Sequence, residues 1–211
     1  MSRLTRKEKQ AHTRACLMQS AARVFARRGL QQASIDEVAE DAGFTKGAFY
    51  ANFKSKEELF LAMLDERFTQ RIEAIEQVIA SDGSTAEKAR RAGDNFVQML
   101  SADREWERLF FEFSAYAARD DDFREELVTR YRTMRDRMAA ALGAHSEGHG
   151  KEAPLPSDQV ALMVSVMANG FALEKLLEGE AVPDELYGTM LTVFFAGLEA
   201  LADAPSAVSA A

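Results

Sequence analysis

The sequence predicts an all-α fold of about nine helices. All four prolines lie at or beyond Pro154, so no proline interrupts a helix before that position. No segment rich in β-branched residues shows the sustained alternation of apolar and polar residues that is typical of a strand. Four segments match the S/T-x-x-E capping box and precede an apolar run of helical period. These are TRKE, SIDE, SKEE and STAE, which begin at Thr5, Ser34, Ser55 and Ser84.

The capping boxes and two glycines order the helices along the chain. Gly29 is predicted to end the first helix and Gly43 the second, since glycine commonly closes a helix. Residues 143–156 have the composition of a linker, and residues 204–211 are expected to form a disordered tail. The predicted helices span residues 6–28, 35–42, 46–53, 56–80, 86–102, 105–119, 122–142, 158–177 and 183–202.

Composition excludes several classes of protein. Hydrophobic residues make up 47% of the chain, which is enough for a folded core. No apolar run approaches the ~20 residues of a membrane span, and the N-terminus lacks the apolar stretch of a secretory signal. The single cysteine, Cys16, cannot form an internal disulfide. We therefore expect a cytoplasmic protein that does not associate with a membrane.

No motif indicates catalysis or a bound cofactor. The sequence lacks a G-x-S-x-G turn, a glycine-rich phosphate loop and a CxxC pair. The segment HSEGH places His145, Glu147 and His149 at alternating positions, but only two are histidines and the glycine-rich context has no fixed geometry. We expect neither an enzyme nor a metal site, and no cofactor.

Charge is distributed unevenly along the chain. Residues 1–54 hold ten Lys or Arg and five Asp or Glu residues, a net charge of +5, whereas the whole chain carries −8. A basic first quarter ahead of an acidic remainder suggests that the N-terminal part meets a polyanion. A solvated charged arm is the alternative that charge alone leaves open.

The second and third predicted helices are joined by the short turn AGFT, which contains Gly43. This arrangement is typical of a helix-turn-helix, whose second helix enters the major groove of DNA. Phe49 and Phe53 lie four residues apart and are predicted to face inward. Because an internal glycine costs a helix about 1 kcal/mol relative to alanine, Gly47 is better explained by close approach to a flat partner. The residues left outward are Lys46, Gly47, Ala48, Tyr50 and Asn52.

Several side chains match the chemistry of DNA. Lys46 and Lys56 can reach phosphates, and Tyr50 offers a hydroxyl to a phosphate and a ring to a thymine methyl group. Ser34 and Thr45 stand at helix N-termini, where free amides attract a phosphate oxygen. Each residue alone has a structural explanation, as a cap or a packing residue. Together with the charge they predict contact with double-stranded DNA.

Residues 29–64 resemble the DNA-binding domain of the TetR family of bacterial transcriptional regulators. A long first helix ends in F-x-x-x-G, formed by Phe25 and Gly29. The pattern A-x-x-A-G-F-T-x-G-x-F-Y-x-x-F-x-S-K-x-x-L then runs from Ala39 to Leu59. This covers about the first third of the chain at the level of motifs. The later helices match the family in number, length and order.

The resemblance implies a homodimeric repressor on a near-palindromic operator, released when a small hydrophobic or aromatic effector binds. It implies a homeodomain-like helix-turn-helix domain over residues 1–54 and a helical ligand-binding and dimerisation domain over residues 55–203. Many members carry a histidine or a tyrosine at the position of Asn52. An activator of the same fold, and a helical module without specific DNA binding, are the alternatives. The implied DNA contacts are Ser34, Thr45, Lys46, Gly47, Ala48, Tyr50, Asn52 and Lys56.

Residues 96–138 are dense in aromatic residues and methionine. On their own these residues indicate a core, whereas the resemblance favours an apolar pocket for the effector. The predicted pocket residues are Leu100, Trp106, Phe110, Phe113, Tyr116, Tyr131, Met134, Met138, Met163, Met167 and Phe171.

The last two predicted helices carry wide apolar stripes. Such stripes fit either an intramolecular helix pair or a four-helix interface between two subunits, and the resemblance favours the dimer. The predicted interface residues are Val160, Val164, Met167, Phe171, Met190, Val193, Phe194, Gly197 and Leu198.

Overall fold

The computed structural model describes residues 5–148 and 154–203, and the predicted tail at 204–211 lies outside them. The described part contains nine α-helices, one 3-10 turn at Gly179–Ala181 and no strand, which confirms the predicted all-α fold. The helices are α1 Arg6–Gln32, α2 Ile35–Asp41, α3 Lys46–Tyr50, α4 Lys56–Ala80, α5 Thr85–Ala102, α6 Arg104–Ala117, α7 Asp121–Gly148, α8 Ser157–Glu178 and α9 Glu185–Asp203.

Three of the four predicted capping boxes are complete, those that begin at Thr5, Ser34 and Ser84. In each, the hydroxyl accepts from the amide three residues later and the glutamate accepts from the cap amide. The fourth is rearranged: Ser55 Oγ accepts from the Glu58 amide at 3.1 Å, while the Glu58 carboxylate accepts from the neighbouring Lys54 amide at 2.6 Å. Local hydrogen bonding therefore begins these helices where the sequence predicts.

Two helix ends differ from the prediction. Gly29 has φ +72°, yet one further helical turn follows it before α1 ends at Gln32. This positive φ favours glycine, which here makes a kink inside α1 rather than its end. The second difference is at the end of α7, which continues to Gly148, so the first residues of the predicted linker are helical. Residues 149–153 of that linker lie outside the described part.

The chain divides into two compact units, and the division falls within α4 and α7. The first unit comprises Met1–Arg67 and Arg104–Thr129, and the second comprises Phe68–Asp103 and Arg130–Ala211. The two units are defined by the density of contacts between residues. The boundary predicted between residues 54 and 55 instead separates a DNA-binding part from a ligand-binding and dimerisation part, and it stays a prediction.

Aromatic rings hold the first unit together. Phe60 of α4 lies parallel to Phe113 of α6, with ring centroids 3.4 Å apart, and stacks on Trp106 at 5.5 Å. Phe25 of α1 and Phe123 of α7 pack against Phe113 at 6.0 and 5.7 Å. Since four helices each contribute at least one ring, this cluster joins them in one core.

In the second unit, α5 and α9 approach backbone to backbone. A side chain placed on Gly93 of α5 would overlap the backbone of Gly188 on α9. Beside this crossing, Tyr187 packs on Phe96 at 4.8 Å and on Phe171 of α8 at 5.4 Å. The two glycines allow the helices to meet, and the rings fill the space next to them.

Candidate nucleic-acid interface and ligand cavity

The predicted helix-turn-helix is present in the first unit. Thr45 begins α3 and its hydroxyl accepts from the Ala48 amide at 3.3 Å. Gly43, between α2 and α3, has φ +74°, which suits a tight turn. Phe49 and Phe53 are buried, as predicted, and anchor the short helix from below. The helix itself ends at Tyr50, earlier than predicted, because the chain turns at residues 51 and 52.

The predicted DNA contacts on α3 are largely exposed. Thr45, Lys46 and Gly47 are exposed, Tyr50 keeps 52% of its surface, and Ala48 is half-buried. Ser34, the cap of α2, is also exposed. Lys46 Nζ donates to Asp36 Oδ2 at 2.9 Å, and this hydrogen bond raises the pKa of Lys46 above its usual value. The lysine is therefore a cation at neutral pH.

Two of the predicted contacts have partners within the chain. Asn52 is half-buried and its Nδ2 donates to the Ala48 carbonyl at 2.8 Å. Lys56 Nζ donates to the carbonyls of Leu30 and Ala33 at 2.7 and 3.0 Å. A phosphate contact by Lys56 has to share or replace those carbonyls. A role of either residue in DNA binding stays a prediction.

The kink in α1 is held by contacts that the sequence patterns did not reveal. Glu112 of α6 accepts from the Leu30 amide at 2.7 Å, while Lys56 takes the Leu30 carbonyl. The Arg14 guanidinium lies 4.2 Å from the Phe53 ring centroid and donates to the Asn52 carbonyl at 3.2 Å. Glu112 and Leu30 are 82 positions apart, so no local motif could reveal their contact.

Asp41, the last residue of α2, fastens that helix to α1. Its carboxylate accepts from Arg23 Nη2 at 2.6 Å, from Ser20 Oγ at 2.9 Å and from Arg27 Nη2 at 3.1 Å. These hydrogen bonds, led by that of Arg23, lower the pKa of Asp41 to about 2. The contact orients the first helix of the helix-turn-helix on α1.

The second unit contains a partly open cavity of about 660 Å³ lined by α4, α5, α7, α8, α9 and adjoining residues. Most of its surface is apolar, and the lining includes Ile75, Val78, Leu191 and Phe195. A cavity of this size and polarity is typical of a site for a small organic ligand.

The cavity contains one residue predicted for the pocket, Met138. Trp106, Phe110, Phe113 and Tyr116 belong to the first unit, where Phe113 is fully buried among other rings. The remaining six belong to the second unit and do not line this cavity: Leu100, Tyr131, Met134, Met163, Met167 and Phe171. Three residues predicted for the dimer interface line it instead, namely Val160, Val164 and Leu198. Which residues contact an effector stays a prediction.

α8 and α9 also carry an exposed apolar face. On α8 it contains Leu162, Val166, Leu173 and Leu177, at helical spacing. On α9 it contains Val193, at 68% exposure, with Leu186 and Leu201. By length and composition both helices could cross a membrane, which is weak evidence because core helices of soluble proteins pass the same test. Of the predicted interface, Val193 and Gly197 are exposed, Met167, Met190, Phe194 and Leu198 are half-buried, and Val160, Val164 and Phe171 are buried.

Two family models match most of the described chain. Residues 17–63 match the family model "Bacterial regulatory proteins, tetR family", and residues 85–200 match "BetI-type transcriptional repressor, C-terminal". The HTH-type transcriptional activator FasR of Mycolicibacterium smegmatis is 32% identical over 111 residues, which are 53% of this chain and 49% of FasR. The match thus spans about half the length of that relative.

Solved structures share the fold. Salmonella enterica GusR superposes with a TM-score of 0.75 at 19% identity, over 93% of this chain and 98% of that one. FadR from Bacillus subtilis, solved with stearoyl-CoA, has a TM-score of 0.69 at 17% identity, over 90% and 97% of the two chains. The matched family models and FasR are transcriptional regulators rather than enzymes. With its helix-turn-helix and a C-terminal match over more than half of its length, the chain belongs to the tetR family of bacterial regulatory proteins.

Proposed function

We propose that this regulator is a ligand-responsive repressor, which binds a near-palindromic operator as a cytoplasmic homodimer and leaves it when an apolar effector binds. The exposed surface of α3 carries the proposal: it presents a cation, a hydroxyl-bearing ring and a glycine on a helix anchored by buried phenylalanines. The family model that matches the C-terminal part describes a transcriptional repressor, which supports repression rather than activation.

DNA recognition starts from α3 in the major groove. Around Gly47, Thr45 Oγ1 at 3.7 Å is the nearest atom that an added Cβ would meet, so the backbone can approach base edges closely. Lys46 supplies a positive charge for a phosphate or a guanine edge, and Tyr50 supplies a hydroxyl. Two subunits place two α3 helices in successive major grooves, about 34–36 Å apart.

The second subunit docks on the exposed apolar face of α8 and α9. Dimers are typical of the family. Gly170 and Gly197 have open space beside them, which leaves room for a helix of the partner to approach. A large exposed apolar face commonly marks a protein interface. A second copy of the chain buries this face against its own α8 and α9.

The cavity of the second unit receives the effector. Its apolar lining suits a hydrophobic or aromatic molecule, and the solved complex of FadR with stearoyl-CoA shows that one protein of this fold takes a ligand with a long acyl chain. α4 begins at Lys56, next to the helix-turn-helix, and lines the cavity from Gln70 to Ile79. Binding that shifts α4 weakens DNA binding, and DNA in turn weakens effector binding to the same extent.

The test uses fragments of the source genome that the protein selects. Lys46→Ala and Tyr50→Ala are each expected to weaken binding of a selected fragment about 10-fold, because each removes a DNA contact. Arg132→Ala, which removes a charge from an exposed position on α7, is the control and keeps wild-type affinity. Affinity is measured by gel shift at two salt concentrations, since true binding weakens steeply with salt. Unchanged affinity of both α3 variants contradicts the proposal.

Activation is the second candidate, because FasR is a transcriptional activator. Repression and activation predict opposite changes of transcription in a reporter strain that lacks the protein. Deleting the gene raises transcription from the bound promoter if the protein is a repressor, and lowers it if the protein is an activator.

A further inference from the structure

The cavity of the second unit is apolar in its middle and polar at two ends. Thr85 Oγ1 donates to Glu199 at 2.6 Å, which places the start of α5 beside the last turns of α9. Tyr187 packs on Phe96 at 4.8 Å, which places the start of α9 beside the later part of α5. α5 lines the cavity from Thr85 to Met99, a length of about 21 Å at 1.5 Å per residue.

One end of the cavity holds a cation without an anionic partner. The guanidinium of Arg71 lies 4.5 Å from the Phe96 ring centroid and lines the cavity with the uncharged Gln70 and Asn95. Among residues 5–148 and 154–203 it forms neither an ion pair nor a hydrogen bond. Tyr187 packs on the same Phe96 ring at 4.8 Å; burial raises the pKa of Tyr187, and the charge of Arg71 partly opposes that rise.

The charged side chains Lys88 and Glu199 at the other end each form a hydrogen bond within the chain. Lys88 Nζ donates to the Ile79 carbonyl at 2.9 Å, in the last turn of α4. Glu199 is the one carboxylate among the described lining residues, and it accepts from Thr85. Lys88 precedes Phe96 by eight residues, about 12 Å along α5. Lys88 keeps its charge but already has one of its three donors engaged, whereas the Arg71 guanidinium forms no hydrogen bond within residues 5–148 and 154–203 and can offer all of its donors to a ligand.

We propose that Arg71 binds the carboxylate of an effector whose remaining body is apolar and fills the middle of the cavity. The guanidinium matches a carboxylate with two parallel hydrogen bonds, and the Phe96 ring holds it in place for that contact. Straight-chain and aromatic acids share this chemistry. The inference rests on the proposed function, because it concerns the effector cavity of the same regulator.

Isothermal titration of the full-length protein tests the proposal with matched acids and alcohols. The straight-chain pair is dodecanoate and dodecan-1-ol, and the aromatic pair is 2-naphthoate and 2-naphthol. Wild type is expected to bind at least one acid about 10-fold or more tightly than its alcohol. Arg71→Gln reduces that preference to about threefold or less and leaves the alcohol affinity unchanged, whereas Arg71→Lys retains part of the preference.

Lys88→Gln is the control, since it removes a lining cation at the other end and is expected to keep the preference. Arg71→Met, a second neutral variant, replaces Arg71→Gln if that variant does not fold, as judged by thermal unfolding. The proposal is wrong if wild type binds acid and alcohol equally, if it binds none of the four probes, or if the preference survives in the neutral Arg71 variants. Operator binding and its release by an effector are measured separately. If the protein binds DNA and is released only by a neutral effector, the role of Arg71 is disproved while the proposed function stands.

Discussion

At the scale of single residues, the ion pair between Lys46 and Asp36 limits how freely α3 offers its cation. Both side chains are more than half exposed, so water and salt weaken the pair. Asp36→Asn frees the ammonium and removes a carboxylate that repels phosphates. We expect operator DNA to bind about threefold more tightly. Glu40→Gln makes the same change of charge at another exposed position of α2, so an equal gain in both variants contradicts a specific role of the pair.

A second residue, Asp41, makes stability depend on pH. Because its pKa falls from the ordinary 3.8 to about 2 in the folded state, its contribution is complete above about pH 4 and disappears as pH falls towards 2. Asp41→Asn is expected to lose about 1 kcal/mol of unfolding free energy at pH 7. Urea unfolding at pH 7, 4 and 3 measures the difference from wild type, which shrinks at the lowest pH. A difference that is constant over this range contradicts the assignment.

At this scale the sequence anticipated the buried anchors, Phe49 and Phe53, and the exposure of Lys46 and Tyr50. Helical spacing alone carries that information, because residues four apart share a face. It could not show that Lys56 caps the kink of α1, since that contact depends on how α4 packs against α1.

At the scale of helices, the crossing of α5 and α9 is a sharp test of packing. Gly93→Ala places a methyl group into the Gly188 backbone, where nothing flexible can yield, and we expect a loss of about 1–3 kcal/mol of unfolding free energy. Gly188→Ala is the matched variant. Its added Cβ would lie 3.4 Å from Arg90 Cα, an ordinary contact, so a nearly neutral result is expected. Chemical unfolding compares the two, and equal losses contradict the crossing.

The helices show why local signals succeed at some boundaries and fail at others. The caps at Thr5, Ser34 and Ser84 involve residues three apart, so sequence determines them directly. α7 extends beyond its predicted end because the composition of a linker does not prevent helix where no proline intervenes. α3 is shorter than predicted because the chain must turn before Phe53, whose ring is buried.

At the scale of the whole molecule, the exposed face of α8 and α9 predicts the oligomeric state. Val193→Asp puts a charge in the proposed interface, where burial of an unpaired carboxylate is costly, while the exposed site leaves the single chain folded. We expect light scattering at micromolar concentration to give a dimer mass for wild type and a monomer mass for the variant. Ala140→Asp, on an exposed site of α7, is the control and keeps the dimer. A monomeric wild type contradicts the interface.

The sequence alone determined the helical class, most helix starts, the helix-turn-helix and its exposed residues, because these depend on contacts within a few positions along the chain. The tertiary structure decided the rest, since packing joins residues that are far apart. The rings of Trp106 and Phe113 form a core in the first unit, and the cavity lies instead in the second unit, between α4, α5 and the last helices. Aromatic residues occur both in cores and in the walls of pockets, so sequence composition does not distinguish the two. Only the arrangement of the helices around them leaves the space empty or fills it.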